Sequence, residues 1–300
     1  MLDLTMILDI IRGTTYAMTP LILAAVGEIF NERAGIVNIG LEGIMLISGF
    51  MSVVAAEMTL NPIIGVLAGV AIGAFIGLIH GYITAYLKGD HIISGLGINL
   101  FALGAVAFGI EAVWGVRGYH TPPDAAKVPD IPVLEISPIF IAMILITIGT
   151  HYLLYRTSVG LKVRAVGENP EAADVVGVNV ERVQLLATIY GAALTGLAGA
   201  FLSIDWLTAI TKELPAGRGF IALALVNFAN WSPLLALGGG LLFGFFWTLG
   251  EWIKNMAAIK AVIPVTLMNT IPYIATLAVV AGLIGKSRPP RYVGRPYKRE

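Results

Sequence analysis

Nine long apolar runs recur along this chain, and they restrict its fold more than any other feature. About 20 helical residues cross about 30 Å of hydrocarbon, so most of these runs have the length of a transmembrane helix. They are continuously apolar and lack the in-and-out alternation of a barrel strand. The run at 218–231 is short enough to re-enter the membrane instead of crossing it. The runs lie at approximately 13–30, 39–58, 62–87, 91–117, 137–155, 184–206, 218–231, 233–253 and 262–285.

This pattern predicts an all-α integral membrane protein with one transmembrane domain over residues 1–300. Its fold is a polytopic helical bundle of about 8 to 10 spans. Gly65, Gly69, Gly73, Gly77 and Gly81 recur every four residues along one span and predict a bare stripe against which another helix packs closely. Prolines that follow Asn61, Ser137 and Ser232 predict helix starts, because a capping side chain precedes a first-turn proline.

Composition agrees with a bilayer environment and excludes several functions. Hydrophobic residues make up 57% of the chain and charged residues 13%, whereas soluble domains are about a quarter charged. The formal net charge of zero offers no basic surface to nucleic acid. Cysteine is absent and the four histidines are scattered, so no metal-ligand spacing is present. We predict no catalytic residue, no cofactor and no metal, hence a protein that is not an enzyme.

The distribution of lysine and arginine predicts the orientation. If the C-terminus is cytoplasmic, alternating spans place 12 of the basic residues inside and 7 outside. The basic tail at about 286–300 contributes most to this difference. The longest cytoplasmic connection is then the loop at about 156–183, and the N-terminus lies outside. We predict a multi-pass protein of the cytoplasmic membrane.

The loop at 156–183 contains a short, well-capped helix. Asn169 is a suitable N-cap, Pro170 suits the first helical position, and Glu171 favours the positive end of the helix dipole. Gly177 can end the helix after about two turns, roughly 10 Å. The helix is either an ordinary connection or a lever on which a partner acts. The candidate coupling residues are Arg164, Gly167, Asn169, Pro170, Glu171, Ala172, Ala173 and Gly177.

Four stretches of the chain carry a family resemblance. The 171–177 pattern of Glu-Ala-Ala followed by glycine resembles the coupling helix of ABC importer permeases. Three further stretches resemble the ribose/branched-chain amino acid class of these permeases, and within it the nucleoside and simple-sugar branch. They are 32–43 (ERAGIVNIGLEG), 219–224 (GFIALA) with 231–233 (WSP), and 271–273 (IPY) with 294–297 (GRPY).

The resemblance implies the membrane-spanning permease subunit of an ATP-driven importer. It implies an ABC ATPase subunit that binds the ATP, a second related permease subunit, often in a heterodimer, and an extracytoplasmic solute-binding protein. Gly285-Lys286-Ser287 looks like the end of a phosphate-binding loop, but Val280 stands where that motif needs glycine. We therefore expect no ATP site in this chain.

Polar side chains within the apolar runs are candidates for the solute path. Asn38 and Glu42 are four residues apart and are expected to share one helix face, and Asn99 and Asn227 are further candidates. Glu42 can accept hydrogen bonds from a ribose hydroxyl. Alternatively, Glu42 pairs with Arg33 or with backbone donors, and Asn99 and Asn227 form interhelical hydrogen bonds.

Two other functions remain open on these residues alone. An ion-gradient-driven secondary transporter would need a midplane carboxylate or an unwound helix, ideally in repeated halves. An importer of the same class could instead carry a simple sugar. A membrane-embedded enzyme lacks a convergent set of acid, base or metal ligands.

Overall fold

The computed structural model describes residues 4–132, 135–255 and 288–297 and contains ten α-helices in those ranges. Two of the helices, α3 and α8, continue as π-helical turns at Tyr82–Tyr86 and Leu202–Trp206. Strands β1 (Tyr119–His120) and β2 (Ile210–Thr211) form a short antiparallel pair. They are distant in sequence, and we call the pair the hairpin only for its shape. The helices are α1 Leu4–Glu32, α2 Leu41–Thr59, α3 Pro62–Gly81, α4 His91–Trp114, α5 Pro138–Arg156, α6 Ser158–Glu168, α7 Pro170–Val175, α8 Val180–Phe201, α9 Arg218–Phe228 and α10 Pro233–Asn255.

Seven of the described helices are long and apolar enough to cross a membrane: α1 to α5, α8 and α10. They coincide with seven of the nine predicted runs, which confirms the all-α polytopic fold. The run at 218–231 forms only the 11-residue helix α9, which is about 16 Å long and too short to cross. The run at 262–285 lies outside the described residues.

The bundle has two ends, which we name by what they carry. The α7 face holds the α1–α2 connection, helices α6 and α7, and residues 288–297, since Tyr292 donates its N–H to Gly167 and Gly294 donates to Gly35. The hairpin face holds β1, β2 and the α4–α5 connection, where Arg12 reaches Asp130. Residues near the start of α1 and residues 288–297 therefore lie at opposite faces, as the predicted alternation of spans requires.

The predicted helix starts are present. Asn61 accepts a hydrogen bond from the N–H of Ile63 at 2.9 Å, and Ser137 accepts one from Ile139 at 3.0 Å. Helices α3, α5 and α10 each begin at the proline that the sequence marks. The first N–H groups of a helix have no carbonyl acceptor within the helix. The capping side chain accepts from one of them, and the proline has no N–H to leave unpaired.

Helix α8 lies at the centre of the bundle, and the predicted glycine stripe on α3 packs against it. A Cβ placed on Gly73 would lie 2.4 Å from the carbonyl oxygen of Ala192, and one on Gly77 would lie 2.8 Å from that of Thr188. In the same way, a Cβ on Gly27 of α1 would lie 2.4 Å from the carbonyl oxygen of Gly191 on α8, and Gly199 lies against the backbone of α2. Only a helix without side chains at these positions allows such close approach.

The outer surface of the bundle is apolar. On α4, Ile93, Leu100 and Phe108 are 72%, 72% and 75% exposed. Large apolar side chains exposed to this degree along a spanning helix are suited to contact with lipid tails, because no polar group has to be desolvated.

We predict that Gly73→Ala destabilises the bundle by about 1–3 kcal/mol, because the new methyl group overlaps the backbone of α8. The matched control is Gly104→Ala on α4, where a Cβ would meet nothing within 4 Å. Thermal unfolding of the purified protein in detergent would compare the two. Equal stability of both variants would contradict the close packing of α3 on α8.

Candidate coupling and translocation site

Helix α7 has the local structure that its sequence predicts. Asn169 accepts a hydrogen bond from the N–H of Ala172 at 3.0 Å, and Pro170 occupies the first turn. Gly177 follows the helix with a φ of +85°, a conformation that favours glycine. The six-residue helix is about 9 Å long, close to the predicted two turns.

One side of α7 is buried and the other is open. Pro170 and Ala173 are buried, whereas Glu171 and Ala172 are exposed. The exposed side continues into Val175 and Val176, which are 88% and 76% exposed. A capped helix that presents apolar side chains at the end of the bundle, beyond the spans, is suited to contact with another protein.

Helix α6 and its last turn hold α7 to the bundle. Arg164 donates to the carbonyl oxygen of Leu154 at 3.1 Å, and its guanidinium lies 5.3 Å from the ring centre of Tyr155. At Gly167 the α1–α2 connection approaches so closely that a Cβ would lie 2.2 Å from the carbonyl oxygen of Arg33. Arg164 and Gly167, two of the predicted coupling residues, thus attach α6 to α5 and to the connection that follows α1. Helix α7 follows α6 directly and is held through it.

Residues 288–297 clamp the same region. The N–H of Tyr292 donates to Gly167 at 2.9 Å, and the N–H of Gly294 donates to Gly35 at 2.9 Å. The Tyr297 hydroxyl donates to Asp174 of α7 at 3.0 Å, and its side chain is only 4% exposed. The sequence indicates a basic tail here but gives no sign of this clamp.

The three polar candidates near the α1–α2 connection lie together. The side-chain oxygen of Asn38 accepts from Gly40 at 2.9 Å, while its own N–H donates to Glu28 at 2.7 Å. Asn99 accepts from Gly43 at 2.7 Å and donates to the carbonyl oxygen of Ile39 at 3.0 Å. Both amides therefore order the α1–α2 connection and the start of α2, and their contact with the solute stays a prediction.

The expectation that Asn38 and Glu42 share a helix face is wrong. Helix α2 begins only at Leu41, so Asn38 precedes it. The reason is the Asn38 side chain, which bonds the backbone two residues ahead and forms a turn that competes with helix.

Glu42 holds the beginning of α9. Its carboxylate oxygens accept from the N–H of Gly217 at 2.6 Å and from that of Gly219 at 2.7 Å. These N–H groups are among the unpaired donors of the α9 N-terminus, where the helix dipole favours negative charge. Backbone donors were one of the two partners considered for Glu42, but they come from residues 175 and 177 positions away.

Helix α9 begins inside the bundle. The chain returns from the hairpin face after β2, and Leu214 packs against Gly49 near the middle of α2. From there α9 runs to the α7 face, where Trp231 meets Glu32 and Arg33. The short helix therefore crosses only part of the membrane, and the turns before it complete the passage.

The opposite end of α9 is held by the same stretch of chain. The Trp231 indole donates to Glu32 at 2.5 Å, and Arg33 donates to the Trp231 carbonyl oxygen at 3.1 Å. Within the 32–43 stretch, Glu42 thus lies at the N-terminus of α9, where its negative charge complements the helix dipole. Arg33 binds the turn that follows the helix.

Asn227 is not part of this cluster. It lies on the exposed side of α9, and within the described part of the chain its amide donates to the Leu223 carbonyl oxygen of its own helix at 3.4 Å. The neighbouring Asn230 adopts a φ of +46° and accepts from the N–H of Arg288 at 2.8 Å. The structure therefore brings Asn38, Glu42 and Asn99 together and leaves Asn227 apart.

The sequence also misplaced or missed several residues. By the predicted orientation, Arg218 belongs to the basic residues of the outer loops. In the structure it is 7% exposed, and its guanidinium lies 4.8 Å and 5.1 Å from the ring centres of Trp206 and Trp247. Glu28 and Glu32 are buried on α1. The sequence signal for Glu28 and Glu32 is their spacing, because two glutamates one helical turn apart within an apolar run are unusual.

We predict that Glu42→Gln loosens the start of α9 by about 1–3 kcal/mol, because the amide removes the charge and one of two acceptors. Hydrogen exchange of the peptide that spans residues 214–228 should become faster. Glu111→Gln, which changes an exposed glutamate bonded to Arg117, is the matched control. Unchanged exchange in Glu42→Gln would contradict the capping role.

Comparison with known proteins agrees with this architecture. Residues 10–280 match the model of the branched-chain amino acid transport system/permease component family. The guanosine ABC transporter permease protein NupQ of Bacillus subtilis is 36% identical over 315 residues, which cover 99% of this chain and 98% of NupQ. The nucleoside ABC transporter permease protein NupC of Lactococcus lactis is 35% identical, with 93% of each chain covered.

A more distant relative has a different named solute. TsgC13 of Haloferax volcanii, provisionally named a glucose ABC transporter permease, is 30% identical over 91% of this chain and 90% of its own. No solved structure matches the chain. With a family model that spans most of its length and relatives that are similar from end to end, this chain belongs to the branched-chain amino acid transport system/permease component family.

Proposed function

We propose that this chain forms the translocation path of an ATP-driven importer for a nucleoside. The observation that carries the proposal is helix α7, whose exposed side is open to a partner while its other side is fixed to the bundle. The names of NupQ and NupC, which are similar over nearly the whole chain, support both the transporter class and the solute.

The contacts at the α7 face suggest how force would pass into the bundle. A push on α7 is transmitted through Gly167 to the backbone of Arg33. Arg33 in turn holds the end of α9 through the Trp231 carbonyl oxygen. The same 32–43 stretch holds the other end of α9 through Glu42, so α9 and the α1–α2 connection would move as one body.

This mechanism requires partners. We propose an ABC ATPase subunit docked on α7, a second related permease subunit in a heterodimer, and an extracytoplasmic solute-binding protein on the hairpin face. ATP would be bound by the ATPase subunit and not by this chain. The α7 face would then be cytoplasmic, together with residues 288–297 and their three arginines.

A secondary transporter is favoured by one observation, the partial helix α9. In such transporters the N-terminus of a half-helix points at an anionic group of the solute. In this chain that position is filled by the Glu42 carboxylate, which would repel an anion. The geometry therefore supports α9 as a fixed structural element of an importer. A simple sugar is the alternative solute, in line with the name of TsgC13.

The proposal predicts what accompanies the chain in its own membrane. Gentle extraction of a tagged copy should yield an ABC ATPase and a second multispan protein in near-equal amount, identified by mass spectrometry. The purified complex in proteoliposomes should take up guanosine when ATP is supplied. Recovery of the chain alone, with uptake that survives ATP depletion but collapses with the proton gradient, would favour the secondary transporter.

We also predict that two variants of the α7 region uncouple ATP hydrolysis from transport. Glu171→Lys reverses an exposed charge on the docking side, and Gly177→Leu forces a side chain into a φ of +85°. Transport-stimulated ATPase activity of the assembled complex should fall in both. Glu111→Lys at the hairpin face is the control. Coupling at the wild-type level in both α7 variants would rule out the lever.

A further inference from the structure

A second polar region lies at the hairpin face, away from the α7 and α9 contacts. It is a cavity of about 450 Å³ whose lining includes Tyr16, Asp130, Asp205 and Trp206. Ligand sites for small molecules are commonly concave and of about 300–1,000 Å³. Its residues come from α1, the α4–α5 connection and the π-helical turn that ends α8. Such turns within helices often occur at functional sites.

Most polar groups of the cavity are bonded to one another. Asp130 accepts from Arg12 at 2.7 Å and from the Tyr16 hydroxyl. Arg12 also donates to Glu135 at 3.0 Å. Ser137 donates to the Oδ2 of Asp205 at 2.5 Å.

The remaining oxygen of Asp205 is the exception. Oδ1 is buried and has no hydrogen-bond partner in the part of the chain that the structure describes, although the residue is only 8% exposed. A buried acceptor without a donor costs about 1–3 kcal/mol or more for a charged group. An unpaired buried acceptor of this kind calls for an explanation, and a bound donor that completes its hydrogen bonds is one.

The surroundings of Asp205 indicate the chemistry of that ligand. A carboxylate oxygen only accepts, so the ligand must offer a hydroxyl, amino or ring N–H group. The rings of Tyr16 and Trp206 contact each other, with their centres 6.4 Å apart, and give one side of the cavity an aromatic surface. Asp9 also lines the cavity, and the three carboxylates outnumber the guanidinium of Arg12, which disfavours a phosphate-bearing ligand. Among the described residues no group of three or more histidines and acids could hold a metal ion.

We propose that this cavity is the entry subsite for the solute, in which Asp205 accepts a hydrogen bond from a neutral, ring-bearing molecule such as a nucleoside. The assignment rests on the proposed importer function, which makes the hairpin face extracytoplasmic. It adds a binding residue on the side that receives the solute, roughly the length of α8 from the α7 contacts. Helix α8 spans 22 residues, about 33 Å.

The absence of cysteine allows a direct test. Val128→Cys places a single thiol in the cavity lining, and its modification by a small thiosulfonate reagent is followed on this chain by mass spectrometry. In the complete importer in nanodiscs, guanosine should slow the modification. Asp124→Cys, an exposed thiol on the same face, should react equally fast with and without guanosine.

Asp205→Asn then isolates the carboxylate. It retains an acceptor for Ser137 but removes the charge. The guanosine concentration that halves the modification rate of Val128→Cys should therefore rise at least about ten-fold. Asp124→Asn in the same background should leave protection unchanged. Protection that survives Asp205→Asn at the same guanosine concentration would overturn the role of Asp205, and protection by a cation alone would replace the solute with an ion.

The test separates the subsite from the importer function. A complex that takes up guanosine with ATP but shows no protection at Val128→Cys would overturn the subsite and leave the proposed function intact. A complex that takes up no nucleoside would overturn the proposed function. Assembly of the Asp205→Asn variant into the complete importer, in the same amount as the unsubstituted chain, would show that the variant is folded.

Discussion

The rest of the structure depends on the contact of α8 with three other helices through glycine. Lipid tails are as apolar as the side chains that face them, so helices in a membrane gain stability chiefly from close van der Waals packing and hydrogen bonds. Gly191 meets α1, Gly196 meets α3 and Gly199 meets α2, each at backbone distance. These backbone contacts fix the positions of α1, α2 and α3 around α8. They thereby also fix the two polar regions, which are the α7 and α9 contacts at one face and the Asp205 cavity at the other.

A consequence of this packing is that the chain can interrupt its own crossing at α9. Backbone groups inside a bilayer must be satisfied within the protein, and a helix that begins at depth leaves donors without partners. Glu42 supplies acceptors at that end, and Arg33 donates to the Trp231 carbonyl oxygen in the turn that follows the other end. The 32–43 stretch therefore holds α9 at both of its ends.

The elements that follow from local sequence were predictable, and those that depend on remote partners were not. The capped starts of α3, α5 and α7 and the glycine stripe each follow from residues a few positions apart. The depth of α9 does not, because an 11-residue apolar run has the same composition whether it lies on a surface or ends at a buried carboxylate. The partners of Glu42 are 175 residues away or more, and the clamp of residues 288–297 on α7 joins segments over 120 residues apart.

Helix α8 connects the two polar regions directly. It begins at Val180, three residues after Gly177 ends the α7 region, and it leads into the π-helical turn that carries Asp205 and Trp206. A helix packed through glycine on three sides cannot bend locally without moving its neighbours, because backbone contacts leave no side-chain freedom to absorb the change. If a partner acts on α7 as proposed, a displacement there would reach the Asp205 cavity as a shift of the whole helix. ATP-driven motion at one face would then alter solute binding at the other without a separate relay of side chains.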